Sequence, residues 1–144
     1  MMEHALTHPP QKLSYTLLVL ASPHNGSSNL NALRFTEATL RAGHRIERIF
    51  FMGAAVDTGL ISNTPAQDEL NLLRDWSALA KKYPLELIVC ISSALRHGVL
   101  DDTESRRHER PATLHPAFSM GGLGLLVEAT GQADRLLTFG PETA

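Results

Sequence analysis

The amino-acid sequence predicts a three-layer, flavodoxin-like α/β domain with a mostly parallel sheet, and three observations carry the prediction. Four short apolar runs, at residues 15–21, 45–52, 85–91 and 134–139, read as strands. Between successive runs lie segments whose apolar residues recur at helical spacing, and strand–helix alternation of this kind implies right-handed βαβ crossovers. With 144 residues, 43% hydrophobic and 19% charged, the chain has the size and composition of one globular domain with a real core.

The first strand, Tyr-Thr-Leu-Leu-Val-Leu-Ala over residues 15–21, ends in Ser22-Pro23-His24-Asn25-Gly26-Ser27-Ser28, a loop dense in turn formers. Residues 29–42 read as a helix with Leu30, Leu33, Ala38 and Leu40 available for burial, stopped by Gly43. The second strand, 45–52, centres on Ile46, Ile49, Phe50 and Phe51, and the small-residue stretch 53–64 reads as a loop. A helix over 65–82 follows, with Pro65 in its first turn and Leu70, Leu73, Trp76 and Leu79 at helical spacing. After the third strand, 85–91, a helix opens at Ser92 with a hydroxyl cap and runs into the charged stretch 101–110, which reads as a solvated surface segment. Pro111 and Pro116 mark a loop. Residues 118–130 read as a last helix whose Gly121, Gly122 and Gly124 allow close packing, and 134–139 as the fourth strand.

Composition narrows the function classes. A net charge of −2 leaves no electrostatic footprint for direct nucleic-acid binding. Residues 1–13 carry Glu3, two histidines and Pro9-Pro10 but no apolar core, so they read as a disordered lead-in to a domain over 14–144 rather than a signal peptide. No run approaches the ~18 apolar residues of a membrane span, and a cytoplasmic protein is expected. The histidines at 4, 8, 24, 44, 97, 108 and 115 show no metal-ligand spacing. The 22–28 loop follows a strand and precedes a helix but matches neither Gly-x-Gly-x-x-Gly nor Gly-x-x-x-x-Gly-Lys-Ser/Thr, so it reads as a connecting turn and calls for no cofactor.

Chemistry concentrates at Cys90. As the single cysteine it can form no intramolecular disulfide, and there is no Cys-x-x-Cys pair, so covalent sulfur chemistry must involve a second molecule. It sits where the third strand meets the next helix, the edge at which open α/β sheets bind and react with ligands. N–H groups around Ser92 and Ser93 favour a thiolate there, with Arg96 as a nearby cation, and oppose burial by Val89 and Ile91. The expected outcome is a pKa below the ~8.5 of a free cysteine. Two plainer readings stand beside this one. A lone cysteine in an apolar strand is also a small buried hydrophobe, and Arg96 can equally be solvated or pair with Asp101 or Asp102.

The block Leu87-Ile88-Val89-Cys90-Ile91-Ser92-Ser93-Ala94-Leu95-Arg96-His97-Gly98-Val99-Leu100-Asp101-Asp102-Thr103-Glu104 resembles the active-cysteine region of the DsrE/TusD-like sulfurtransferases, most closely the TusD subunits of TusBCD sulfur relay complexes. Phe50-Phe51 with its small-residue loop, the Asp68–Trp76 segment and the Ser119–Ala129 segment are similar as well, so that the resemblance covers nearly all of residues 15–139. It implies a DsrE-like fold and sulfur carried as a persulfide on Cys90. It also implies a hetero-hexamer with TusB-like and TusC-like subunits, and TusA-like and TusE-like carriers as sulfur donor and acceptor. It implies further that the sulfur ends as the 2-thio group of wobble uridine in transfer RNA. The same resemblance extends to DsrE proteins of sulfur-oxidising pathways, with another final acceptor. Two readings of other classes remain: an assembly subunit with a merely buried Cys90, and a nucleotide- or flavin-binding module built on the 22–28 loop.

Overall fold

Residues 11–141 are described by a computed structural model, in which strands and helices alternate as β1 (Ser14–Val19), α1 (Ser28–Arg41), β2 (Arg45–Phe51), a 3-10 segment (Gly53–Gly59), α2 (Leu72–Lys82), β3 (Leu87–Cys90), α3 (Ile91–Arg96), α4 (Asp102–His108), β4 (Phe118–Gly121), α5 (Leu123–Gln132) and β5 (Arg135–Phe139). All four pairings are parallel and the strand order is β4-β3-β2-β1-β5. The chain lays down β1 to β4 side by side and then returns through α5 to the free edge of β1. The lead-in expected over residues 1–13 lies outside the described residues as far as position 10; Leu13 accepts from Arg45 N–H and donates its own N–H to His44 Nδ1 at 3.0 Å.

The two-residue period of the strands divides the core between the two faces of the sheet. Leu17, Val19, Ile49, Phe51, Leu87 and Val89 point into the larger cluster with Ala32 and Leu33 of α1 and Leu72, Trp76 and Leu79 of α2. Phe50, Ile88 and Cys90 point to the other face, where Leu125 and Leu126 of α5 cover them. Every residue of β3 is buried, as expected of a strand between two others in a parallel sheet. Gly43, at φ +88, ends α1 in the left-handed conformation that its position requires.

A buried amide ties these layers together at the carboxyl edge of the sheet. Asn29, 1% exposed in the first turn of α1, donates from Nδ2 to Ala21 O at 3.0 Å and to Thr58 Oγ1 at 2.9 Å. Its Oδ1 accepts from Trp76 Nε1 at 3.0 Å, and Thr58 Oγ1 in turn donates to Ala55 O at 2.6 Å. The amide therefore joins the end of β1, the 3-10 segment and α2 with its three hydrogen bonds satisfied, the condition under which buried polar groups specify a structure rather than weaken it.

The structure corrects several boundaries. Residues 118–130 are not one helix: 118–121 form β4, pairing Leu87–Cys90 with Phe118–Gly121, so the sheet has five strands. Gly121 is the reason the two elements fit. A Cβ there would lie 2.4 Å from Leu125 Cδ1 and 3.0 Å from Ile88 Cγ2, so the bare backbone lets α5 settle on β3. The helix expected over 65–82 begins only at Leu72, because Asn71 Oδ1 caps it by accepting from Arg74 N–H at 3.0 Å; Leu70 is exposed and Pro65 lies outside it. The presumed loop 53–64 is largely a 3-10 helix, and the charged stretch 101–110 carries α4, capped by Asp101 and holding the buried Glu104. Replacing Asn29 with Ala strands the Trp76 and Ala21 partners in the core, and urea unfolding should show a loss of about 3 kcal/mol, against about 1 kcal/mol for Trp76→Phe read by the same method after allowing for its volume change. A cost below about 1 kcal/mol for Asn29→Ala would show that the amide is not a structural joint.

Candidate functional site

Cys90 is the last residue of β3 and the N-cap of α3, with extended backbone angles of φ −62 and ψ 124. Its parallel partner on β4 is Gly121. The serines do not cap α3 from outside, as the sequence suggested; the helix starts one residue earlier, at Ile91, and both serines lie in its first turn. That shift turns them onto the sulfur. Ser92 Oγ lies 3.4 Å from Cys90 Sγ, and Ser93 Oγ accepts from Gly53 N–H at 3.0 Å, which leaves its own proton free to be donated.

Cys90 is 2% exposed, whereas Ser92 directly beside it is exposed. The thiol thus lies one side chain beneath the surface, with Phe50, Ile88, Leu125 and Leu126 on its apolar side. Burial, the largest single influence, pushes its pKa up; hydrogen bonds from the Ser92 hydroxyl, Ser93 N–H, Ser93 hydroxyl and Ser92 N–H together outweigh it and hold the thiol below its ordinary value. A core cysteine and an activated cysteine differ in this polar shell, not in exposure. A thiol so held ionises more readily, and the thiolate is the nucleophilic form of cysteine.

Alpha helix α3 is fixed at both ends by the 3-10 segment. Gly53 holds Ser93 at the amino end, and Asp57 Oδ1 meets His97 Nδ1 at 2.9 Å just past the carboxyl end. Asp57 Oδ2 also meets His24 Nε2 at 3.3 Å, drawing the 22–28 loop to the same point. His24, Asp57 and His97 come from three segments far apart in the chain, and no linear spacing links them; the only sequence signal was the density of small and turn-forming residues around His24 and Asp57. Arg96 stands apart from the sulfur. It makes no ion pair with Asp101 or Asp102 among the described residues; Asp101 Oδ1 accepts from Glu104 N–H instead, and Arg96 lines a shallow groove with Leu95, Gly98, Leu100, His108 and Arg110.

Alpha helix α5 covers the sulfur from the far side of the sheet and is pinned by Arg48, whose guanidinium donates to Leu125 O at 2.7 Å and to Glu86 Oε2 at 2.6 Å. Its outward side carries exposed apolar residues: Leu123 is 54% and Val127 71% exposed, beside exposed Glu128, with Leu136 of β5 also exposed. Among the described residues no cluster of three His, Cys, Asp or Glu side chains could hold a metal ion, and no helix is long and apolar enough to cross a membrane.

The profile of the DsrE/DsrF-like family matches residues 14–139. A DsrE protein of Allochromatium vinosum is 38% identical over 129 residues, 89% of this chain and 99% of the relative. Sulfurtransferase TusD of Serratia proteamaculans is 38% identical over 128 residues, covering 88% of this chain and 99% of the relative, and TusD of Salmonella typhi is 35% identical over 88% and 100%. The crystal structure of the ychN protein from E. coli shares the fold, with a TM-score of 0.68 over 90% of this chain and all of the other, at 23% identity. With the family profile spanning the whole sheet from β1 to β5 and relatives aligned over nearly their full length, this chain belongs to the DsrE/DsrF-like family.

Proposed function

We propose that this chain is a sulfurtransferase of a sulfur relay that carries sulfur as a persulfide on Cys90, and that the relay leads to 2-thiolation of the wobble uridine of transfer RNA in the cytoplasm. The observation that carries the reading is the polar shell that favours a thiolate at the strand end: Ser92 at 3.4 Å, the Ser93 hydroxyl and the two N–H groups. The Cys90 thiolate attacks the outer sulfur of a donor persulfide; the donor's S–S bond breaks, the donor leaves as a thiolate, and Cys90 holds the persulfide. An acceptor thiolate then attacks that outer sulfur and Cys90 leaves as the thiolate. The two exchanges are redox-neutral and need one cysteine and no cofactor. Arg96 adds long-range positive charge, and TusA-like and TusE-like carriers serve as donor and acceptor. Similarity to TusD proteins supports the tRNA branch, and the equal identity to a DsrE protein supports a sulfur-oxidation branch with the same carrier chemistry.

Charging with a persulfide donor should add the mass of one sulfur atom, removable by dithiothreitol and absent from Cys90→Ser, as read by intact-mass spectrometry. An uncharged wild-type protein under conditions that charge another carrier would remove the proposal, and iodoacetamide labelling only on unfolding would favour the merely buried cysteine.

The acidity of the thiol has a definite sign. Because only the thiolate reacts, a lowered pKa moves the midpoint of the alkylation rate against pH below that of a free cysteine. Ser92→Ala removes a donor while burial stays, so its midpoint moves up. An unchanged midpoint in Ser92→Ala would mean that the hydroxyl does not stabilise the anion.

The uncovered apolar surface of α5 and β5 suits the TusB-like and TusC-like subunits of a hetero-hexamer. Val127→Glu should abolish co-purification with coexpressed subunits while leaving the melting temperature of the isolated chain within a few degrees. Native mass spectrometry that finds the variant in full complexes would exclude that surface from the interface.

A further inference from the structure

At the carboxyl-terminal end of α3 lies a groove of about 360 Å³ lined by Leu95, Arg96, Gly98, Leu100, His108 and Arg110. Among the described residues, the guanidinium groups of Arg96, Arg106 and Arg110 have no carboxylate within ion-pair distance, whereas Arg107 Nη1 and His108 Nε2 of α4 meet the two oxygens of buried Glu104, at 2.8 and 3.2 Å. Cations in the last turn of a helix answer its dipole, and this accounts for Arg96, Arg106, Arg107 and His108. It does not account for Arg110. That residue lies past the end of α4, where Glu109 adopts a left-handed φ of 53, and it lines the groove together with Arg96. No acidic side chain lines the groove, and Leu95, 38% exposed, and buried Leu100 give it an apolar floor.

We propose that this groove docks an acidic polypeptide segment of a sulfur donor or acceptor, its carboxylates on Arg96 and Arg110 and an apolar side chain on Leu95 and Leu100. The proposal rests on the carrier reading for its purpose: α3 is six residues long, so Arg96 stands about 9 Å along the helix axis from Cys90, within the reach of one docked loop. A polypeptide fits better than a nucleic acid. Phosphate backbones need an extended basic track, whereas this groove is short, has an apolar floor, and belongs to a chain of net charge −2.

The test is fluorescence anisotropy on the full chain with three labelled probes: a peptide alternating Glu and Leu, its Lys and Leu counterpart, and a single-stranded oligouridylate. The Glu peptide should bind in a salt-sensitive way, the Lys peptide should not, Arg110→Glu should lose about tenfold in affinity or more, and Arg110→Lys should keep most of it. Arg110 is exposed in a loop, and retention by Arg110→Lys separates charge from misfolding. Equal binding by wild type and Arg110→Glu, no binding of the Glu peptide, or tighter binding of the oligouridylate overturns the proposal. If the Glu peptide binds in an Arg110-dependent way while Cys90 accepts no sulfur, the groove stands and the carrier reading falls.

Discussion

The buried amide of Asn29 is the joint on which the carboxyl edge of the sheet depends. By holding Thr58 it fixes the 3-10 segment, and that segment supplies Gly53 and Asp57, the two holds on α3. The orientation of α3 in turn decides whether Ser92 and Ser93 face the sulfur. Loss of the amide would thus be felt first as a loosening of the polar shell around Cys90, on elements that never touch Asn29. The T-shaped packing of Trp76 on Phe51, with ring centroids 5.4 Å apart, adds a second constraint on the same joint by fixing the indole that donates to Oδ1.

At the sulfur, the governing competition is between burial and local donors. A helix of six residues has a weak dipole, and its influence fades within a turn, so the Ser92 and Ser93 groups act as individual hydrogen-bond donors more than as the end of a macrodipole. Hydrogen bonds to charged groups contribute about 1.5–3 kcal/mol each when desolvated, enough for a few to overcome burial of one thiol. The same burial that opposes ionisation keeps solvent and stray thiols from the sulfur. Reactivity and protection therefore come from one geometry: apolar side chains behind, hydroxyls and amides in front.

Much of this was legible in the chain. The apolar runs that became β1, β2, β3 and β5 are separated by Gly43, Pro84 and other turn formers, and Cys90 stands visibly where an aliphatic run meets Ser-Ser-Ala-Leu-Arg. What the sequence hid has physical reasons. Strand β4 is an edge strand of four residues, too short to show a period of its own, and its glycine runs straight into the apolar start of α5, so the two merged into one apparent helix. The Pro65 signal outweighed Asn71, although the side-chain cap at Asn71 sets the true start of α2. Hydroxyl residues after a strand read as caps, whereas here the cap position is the cysteine itself. The Asp57 holds on His97 and His24 depend on three distant segments meeting in space, which one-dimensional spacing cannot display.

The strand order carries a consequence for biosynthesis. Strands β1 to β4 can pair in the order in which they leave the ribosome, each against its immediate predecessor, but β1 keeps one edge open until β5 is made at the far end of the chain. That open edge runs along a strand with four buried residues out of six, so the nascent half-sheet presents an apolar template to any other extended chain. A stalled or truncated product lacking β5 would be prone to aggregate through β1, and quality control acting on this protein would meet its hazard at the first strand synthesised, not the last.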